Sequence, residues 1–593
     1  MKKIFCGVIC LFFCCISISV FGQMNKIQSH NEQVKKMEQV LWMIDFQYVD
    51  TIDLDQMTEK GIIEMLKQLD PHSVYISQKD FNAMNEKLVG NFEGVGIAFQ
   101  IIKDTLTVMQ TIKGGPSELV GVLPGDKIVI IDDSSATGKI CTNEWVYKKL
   151  RGPKGSKVIL GIKRGKEDKI FTFTIIRDKI PINSIESYFM IDNKTAYIRL
   201  DGFMQTSHDE LVNAIKALQK QGMENLIFDL RGNTGGYLNI AIDIVDEFIK
   251  DNNKLIVYTQ NNQNGNRLEY TTRKNGLFET GKLVVLIDEY SASASEIVSG
   301  AIQDWDRGVI IGRRSFGKGL VQSQVTLRDG SAVRLTTSKY YIPSGRCIQK
   351  PYEGVEDYSL DAIKRYNAGE LTHADSIHFP DSLKFYTANK RIVYGGGGIM
   401  PHIFVPIDTT IASDFYLKLY RNNIFNQFVF TYLDKNKNTL LQKYVDFADF
   451  YKHFQVNKDI LEEFYTFAEK EGVTSTDTAD FDINIYLKNF IETKKDSLKD
   501  QYPTYKSLTQ NNNFQNAFNQ YIAEQIRIYQ QRQSGFDTEE YIKRQIKTLI
   551  ARQVYSSNEA TKIWLEADKT YQKAIEIINN DAYFKKNKII GQL

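Results

Sequence analysis

The period of the apolar positions changes along the 593 residues, and each change predicts a different kind of structure. Between 24 and 88, Val34, Met37, Val40, Leu41 and Ile44 recur at helical spacing, and Met65-Leu66 continues the pattern. Leu69-Asp70-Pro71-His72-Ser73 breaks it, because proline and the residue before it resist helix. From Phe92 to about Arg177 the texture is short strands and glycine turns, and 182–350 alternates strand-like with helix-like segments. Leu226–Leu230 and Leu283–Ile287 are continuous apolar runs, as expected of strands buried on both faces. An irregular, polar insert spans 351–390 and Gly395–Gly398 closes it. Beyond about 410 the chain reads as helical, with Ile542, Ile546, Leu549, Ile550 and Val554 on one amphipathic stripe, and no repeat of solenoid period is present.

Length and composition bound what such a chain can be. Its size suggests three or four domains, and 42% apolar with 25% charged residues provides a sizeable core. The net charge of +2 (74 basic against 72 acidic residues) is carried by Lys2 and Lys3, since residues 1–22 hold no acid. That balance argues against a nucleic-acid partner. Lys2-Lys3, the apolar run Ile4–Phe21 and Val20-Phe21-Gly22 before Gln23 predict an export signal over 1–22, hence a periplasmic or envelope protein. As a membrane anchor the run sits at the lower limit for spanning. Cys6, Cys10, Cys14 and Cys15 leave with the signal; Cys141 and Cys347 remain, so no disulfide framework is expected. Seven scattered histidines without an HExxH pattern give metal chemistry little support, and no cofactor is expected.

Three stretches carry candidate chemistry. EYSASASEIVSGAIQDW (289–305) follows the run LVVLI and enters a helix whose apolar side is Ile297, Ala301 and Ile302. A strand-to-helix turn of small residues exposes a side chain at a sheet's carboxyl edge, the physics of a nucleophile elbow, although GxSxG is missing. By itself a serine-rich turn is more often capping chemistry. GRRSFGKGLVQ (312–322) fits GxxxxGK, but Gly319 replaces the magnesium-binding Ser or Thr, and the alternation after it, turning at Asp329-Gly330, is a hairpin rather than the helix a phosphate loop enters. Lys318 could instead be a base for a serine if burial lowers its pKa, with Gly317 and Gly319 allowing close approach and Gln322 holding the amine. A single lysine in isolation is more often a solvated charge. DLRGNTGG (229–236) ends another buried strand, and its paired glycines suit either an oxyanion hole or a tight turn.

In this order the three stretches resemble the carboxyl-terminal processing (tail-specific) serine peptidases, whose pattern is DLRxNxGG, SASASE and FGKGxVQ with a PDZ domain upstream. LDPHS (69–73) and GGGGIMP (395–401) also match, and the similarity runs over about residues 30–405. The resemblance implies Ser293 as nucleophile, Lys318 as general base, Gln322 as the residue orienting the lysine, and an oxyanion hole from the N–H of Ala294 and of Gly235 or Gly236. Gly94-Val95-Gly96-Ile97 would be the loop that captures a substrate's terminal carboxylate, and Arg151 would touch the catalytic core and report PDZ occupancy. The implied fold is multi-domain α/β: signal 1–22, helical region 23–88, PDZ domain 89–178, ClpP/crotonase-like catalytic core 179–350, insert 351–390, return segment 391–409 and helical domain 410–593. Partners would be protein or peptide substrates with free C-terminal tails, with the helical regions as surfaces for a second copy or an adaptor. The alternative of another class is a catalytically idle PDZ scaffold, which need keep neither Ser293 nor Lys318.

Overall fold

A computed structural model describes residues 28–589 except 166–168, 262–264, 353–357, 359, 378, 410–412 and 475–537. The expected signal segment lies outside the described residues. The chain forms two compact units: residues up to 78 together with 322–336, and 79–321 together with 337–593.

In the first unit, helix 28–47 and helix Leu54–Lys67 precede the strand Val74–Ile76, which pairs antiparallel with Ala332–Arg334. Asp53 caps the second helix by accepting from the Gln56 N–H. The LDPHS turn is organised by Asp70, whose carboxylate accepts from the His72 and Ser73 N–H groups, the Ser73 hydroxyl at 2.6 Å and the Thr336 hydroxyl at 3.0 Å. Val34, Met37 and Val40, read from the sequence as a helical stripe, stand about half exposed.

The second unit is built on a six-stranded sheet. Its strands are β1 (Ile185–Met190), β2 (Thr195–Leu200), β3 (Asn225–Asp229), β4 (Leu283–Ile287), β5 (Val309–Gly312) and β6 (Ile403–Phe404), lying side by side in that order. β1 runs antiparallel to β2, and β2 to β6 are mutually parallel. Side-chain alternation divides the sheet's two faces. Leu226, Phe228, Leu283, Val285 and Ile287 point to helices α1 (Ser207–Gln219), α2 (Leu238–Asp246) and α3 (Ala294–Asp304). Ile227, Val284, Leu286 and Ile311 point the other way, onto Ala574, Ile577, Ile578 and Phe584 near the chain's end. The second face of the sheet is therefore closed by the last helices, Lys569–Ile578 and Asp581–Lys586.

Helix α3 differs from its sequence expectation. An apolar side was predicted, yet every residue from Ala294 to Asp304 is buried. Ile342, Arg346, Ile399 and Met400 meet its other side: Arg346 reaches Gln303 and Asp304 at 2.7 and 2.8 Å, Gln303 donates to the Met400 carbonyl, and a Cβ on Gly300 would touch Ile342 and Ile399. The insert 351–390, expected to be irregular, holds a short helix (Asp361–Asn367) and the strand Lys384–Tyr386, which pairs with Ile392–Tyr394. The helix escaped the pattern because it is polar and buries Arg365 rather than an apolar stripe.

Residues 97–176 form a separate antiparallel sheet, in the order Ile97–Ile102, Thr105–Thr111, Lys127–Ile131, Lys157–Lys163, Ile170–Ile176. Helices Pro116–Leu119 and Asn143–Leu150 accompany it, and its core contains Leu106, Val108, Ile128, Val146, Val158, Leu160 and Ile162. Asn91–Gly94 pairs with Asp178–Pro181 and closes both ends of the segment. Helices Asp414–Arg421, Ile424–Lys443, Lys458–Lys470 and Thr538–Val554 pack around Phe425, Phe428, Phe464, Ile542, Ile546 and Ile550.

A charged junction ties the end of β3 to the C-terminal helices. The Arg231 guanidinium bonds Asp229 through Nε and Nη2 and Asp568 through Nη1 at 2.6 Å, while Asp568 caps the helix beginning at Lys569. Asp229 is fully buried and also accepts from the Tyr197 hydroxyl. Breaking such a pair leaves an uncompensated buried charge, so Arg231→Met should destabilise the protein by about 3–5 kcal/mol, measured by urea denaturation. An unchanged unfolding midpoint would mean that the junction contributes nothing to stability.

Candidate active site

Ser293 is the residue before helix α3, on the turn that follows β4. Its backbone is at φ 57°, ψ −113°, a region that an L-residue occupies at a cost of about 1–3 kcal/mol. The turn's other serines have structural work. Ser291 is fully buried and its hydroxyl donates to the Leu230 carbonyl at 2.8 Å. Ser295 is fully buried as well and donates to the Asn233 carbonyl at 2.8 Å. Ser293 is half-buried, so of the three it is the one presented outward. The spacing alone does not separate the three hydroxyls; the resemblance selected Ser293, and the burial and hydrogen bonds of Ser291 and Ser295 give a physical distinction.

The lysine loop is fastened to this turn by one carboxylate. Glu296, fully buried on the first turn of α3, accepts from the Ser293 N–H at 2.8 Å and the Lys318 N–H at 2.9 Å through Oε2. Its Oε1 accepts from the Ser315 hydroxyl at 2.6 Å and the Gly317 N–H at 2.7 Å. Burial pushes the Glu296 carboxyl above the ordinary glutamate range, against the opposing pull of its four donors. Tyr340 adds a second tie from the carbonyl side: its hydroxyl reaches the carbonyl oxygens of Ser293 at 3.1 Å and Lys318 at 2.7 Å. Sequence reasoning missed both residues as members of the site. Ser293-x-x-Glu296 has capping-box spacing, which could have drawn attention to Glu296; Tyr340 left no signal beyond strand alternation.

Gly317 and Gly319 serve close packing of the loop itself. Gly317 has φ +89°, and a Cβ there would lie 3.1 Å from the Gly398 nitrogen and from Lys350 Cβ. A Cβ on Gly319 would sit 2.8 Å from the Gln349 nitrogen. GGGGIMP forms the loop's backing, with Ser315 and Ile399 exchanging bonds: the Ser315 N–H donates to the Ile399 carbonyl, and the Ile399 N–H to Ser315 Oγ.

The DLRGNTGG loop meets the same turn from the β3 side. Asn233, fully buried, donates to the Leu200 carbonyl, and its own carbonyl accepts from the Ala292 N–H at 3.0 Å. A Cβ on Gly235 would lie 2.9 Å from Ser293 Cβ and 3.0 Å from the Ala294 nitrogen, so only glycine fits against the serine. The Gly235 N–H is bonded to Asn233 Oδ1 at 2.9 Å. Gly236 is pressed against Phe203, whose carbonyl oxygen would be 2.2 Å from an added Cβ.

The remaining candidates have these surroundings. Gln322 belongs to the first unit, where its amide lies 3.4 Å from the Thr336 hydroxyl. Gly94 ends the ribbon strand; Val95 is buried, its carbonyl accepting from the Ser117 N–H and hydroxyl; Gly96 has φ +75°; Ile97 starts the edge strand of the antiparallel sheet. Arg151 pairs with Glu86 on the helix Gln78–Val89, and its guanidinium lies 5.0 Å from the Phe92 ring and 5.2 Å from the Tyr147 ring.

Comparison with known proteins places peptidase family S41 on residues 194–358, the activating protease CtpB N-terminal domain on 17–80 and a family of unknown function on 415–488. A carboxy-terminal-processing protease of Bartonella bacilliformis is 35% identical over 343 residues, 56% of this chain and 78% of that one. The carboxy-terminal processing protease CtpB of Bacillus subtilis is 31% identical over 350 residues, 58% of this chain and 70% of that one. Among solved structures, the PDZ domain of a carboxy-terminal protease from Vibrio cholerae in complex with peptide aligns at 32% identity over 15% of this chain and 97% of that one, with a TM-score of 0.14.

The shared carboxylate generates a prediction. In Glu296→Gln an NH2 group replaces one acceptor oxygen and faces two of the four donors. Each buried donor left unsatisfied costs about 1–3 kcal/mol, so stability should fall by about 2–6 kcal/mol in urea titrations. Peptide hydrolysis at a temperature where the variant stays folded should fall with it. A variant as stable and active as the parent would show that Glu296 does not organise the site.

Proposed function

The chain belongs to the carboxy-terminal-processing proteases of peptidase family S41 and is a serine-type peptidase, and from that membership we propose a Ser–Lys acyl-enzyme mechanism centred on Ser293. The observation that carries the proposal is that Ser293, alone of its turn's serines, is held outward on a strained backbone while sharing the Glu296 carboxylate with Lys318. Ser293 Oγ attacks the scissile carbonyl carbon and its proton passes to the neutral Lys318 amine. The tetrahedral oxyanion is held by the Ala294 N–H and that of Gly236, because Gly235 commits its own N–H to Asn233. The Lys318 ammonium gives its proton to the departing amine nitrogen as the C–N bond breaks. Water then attacks the acyl-enzyme, passes a proton to Lys318, and collapse returns one to Ser293 Oγ. Gln322, within FGKGLVQ, takes the role of orienting the lysine amine.

The core sheet is read as ClpP/crotonase-like and the segment 89–178 as a PDZ domain that captures protein C-terminal tails. Support for the second reading is the open edge of Ile97–Ile102 next to a glycine-containing loop held by Ser117. An extended peptide can add to such an edge while its carboxylate meets the loop N–H groups. The charged and apolar pattern of residues 1–22 supports export to the periplasm or envelope.

Three outcomes test this reading. Ser293→Ala should keep its fold and lose both turnover and labelling by a fluorophosphonate probe; a variant that still hydrolyses peptide excludes Ser293 as nucleophile. Lys318→Arg should be nearly as inactive as Lys318→Ala, because guanidinium stays protonated and cannot accept a proton, and activity of the parent should rise with pH as the amine becomes neutral. For the tail-binding reading, a matched pair of peptides ending in acid or amide should differ in apparent KM by roughly ten- to a hundredfold, the equivalent of about 1.5–3 kcal/mol for a charge-assisted hydrogen bond. Equal kcat/KM for the two would mean that chain ends are not recognised.

A further inference from the structure

The insert 351–390 lies mostly beyond the S41 match, which ends at 358, yet its side chains grip the loop that carries Lys318. Arg365 is buried at 5% exposure on the insert's helix. Its Nη2 donates to the Arg314 carbonyl at 2.6 Å and its Nη1 to the Ser315 carbonyl at 3.2 Å, one guanidinium spanning two successive peptide groups. Glu370, in the turn that follows the helix, fixes that fork. It accepts from Arg365 Nε at 2.8 Å and takes both Nε and Nη2 of Arg314, at 2.8 and 2.7 Å. A second grip lies next to it: Asp361 pairs with Lys350 at 2.8 Å, and the Lys350 ammonium lies 3.7 Å from the centre of the Phe316 ring. The Lys350 N–H also donates to the Gly317 carbonyl at 2.9 Å.

We infer that Arg365 is a positioning residue for catalysis, acting through Ser315 and Glu296 on the backbone of Lys318 and Ser293. Ser315 is the connecting link. Its carbonyl is held by Arg365 and its hydroxyl donates to Glu296, whose other oxygen holds the N–H of both Ser293 and Lys318. The path is a continuous run of hydrogen bonds through buried groups, with no step longer than 3.2 Å. The inference rests on the reading of Lys318 as the base. It assigns the insert a part in the reaction geometry rather than in substrate binding. Arg is the residue type such a task needs, because a planar fork can reach two carbonyls at once and a lysine ammonium acts as a single point.

The test compares Arg365→Ala, Arg365→Lys and Glu370→Gln in the full chain with the parent. Displacing a catalytic group by about an ångström can reduce the rate by roughly a hundredfold without touching substrate binding. Arg365→Ala should therefore lower kcat by roughly ten- to a hundredfold, leave KM within about twofold, and slow fluorophosphonate labelling of Ser293 in parallel. Arg365→Lys should recover only a minor part of the loss. Glu370→Gln, which loosens the fork while keeping Arg365, should fall between Arg365→Ala and the parent, and it decides the matter if Arg365→Ala does not fold. Folded protein whose kcat and labelling rate match the parent's in these variants, whatever its melting temperature, overturns the inference. So does a full rescue by Lys. Substantial turnover in Lys318→Arg would instead remove the catalytic reading on which the inference rests, a result distinguishable because it leaves Arg365 intact.

Discussion

One buried carboxylate sets the geometry of the site. Glu296 accepts four hydrogen bonds, two from the strand-to-helix turn and the lysine it faces, and two from the loop between them. A carboxylate has room for about four such donors, so the group is saturated and has no alternative arrangement of equal quality. The placement of Ser293 relative to Lys318 is thereby tied through their main chains. Tyr340 adds a tie at the carbonyl oxygens of the same two residues: its single hydroxyl proton is shared between the Lys318 carbonyl at 2.7 Å and the Ser293 carbonyl at 3.1 Å. Together the Glu296 and Tyr340 contacts hold a half-buried serine at φ 57°. Strain of about 1–3 kcal/mol is of the size that two or three charge-assisted hydrogen bonds can offset.

The elements that hold Glu296 in place were unequally visible in the sequence. LVVLI announced β4, because a strand covered on both faces leaves no polar position to confuse its reading. What covers its second face was not visible. The stripe read from the sequence lies on the helix Thr538–Val554, which packs in another core, and the last helices were not singled out; amphipathic period carries no address in any case, and Ala574, Ile577 and Ile578 could have faced any apolar surface. Helix α3 was legible only on its apolar side. Ser295, Glu296, Gln303 and Asp304 are buried as well because each has a partner elsewhere in the chain, and Ser299 because its hydroxyl donates to the Ser295 carbonyl of the same helix. Polar residues that are satisfied internally cannot be told from exposed ones by period alone.

The same limit applied within the site. The residue pattern of SASASE identified a turn without ranking its hydroxyls, and only the family resemblance chose Ser293; the two carbonyls that engage Ser291 and Ser295 come from the DLRGNTGG loop, about sixty residues earlier in the chain. The paired glycines were recognisable as permissive positions, whereas the Asn233 side chain that engages the Gly235 N–H became apparent only once the loop closed on itself. Arg151 was assigned a coupling role from the family resemblance, and its contacts with Glu86, Phe92 and Tyr147 left no mark in the glycine- and proline-shaped turn that carries it. Partners close in space and distant in sequence decide each of these cases.

The insert takes this logic to its end. A polar segment without period reads as a loop, yet Arg365 and Glu370 are buried inside a network that reaches Glu296 through Ser315. Burying two arginines and a glutamate is unfavourable unless every donor and acceptor is met, and a partly met network would be worse than an apolar contact. The geometry meets that demand by using main-chain carbonyls as acceptors: Arg314 reaches Gly397, and Arg365 reaches Arg314 and Ser315. Main-chain acceptors cannot be removed by substitution, so the clamp constrains the path of the loop whatever side chains the loop carries. A segment built this way has little reason to be retained for bulk stability, which apolar packing would supply at lower desolvation cost. Its specific effect is on where the peptide groups of the lysine loop lie, and that is the quantity on which the Ser293–Lys318 geometry depends.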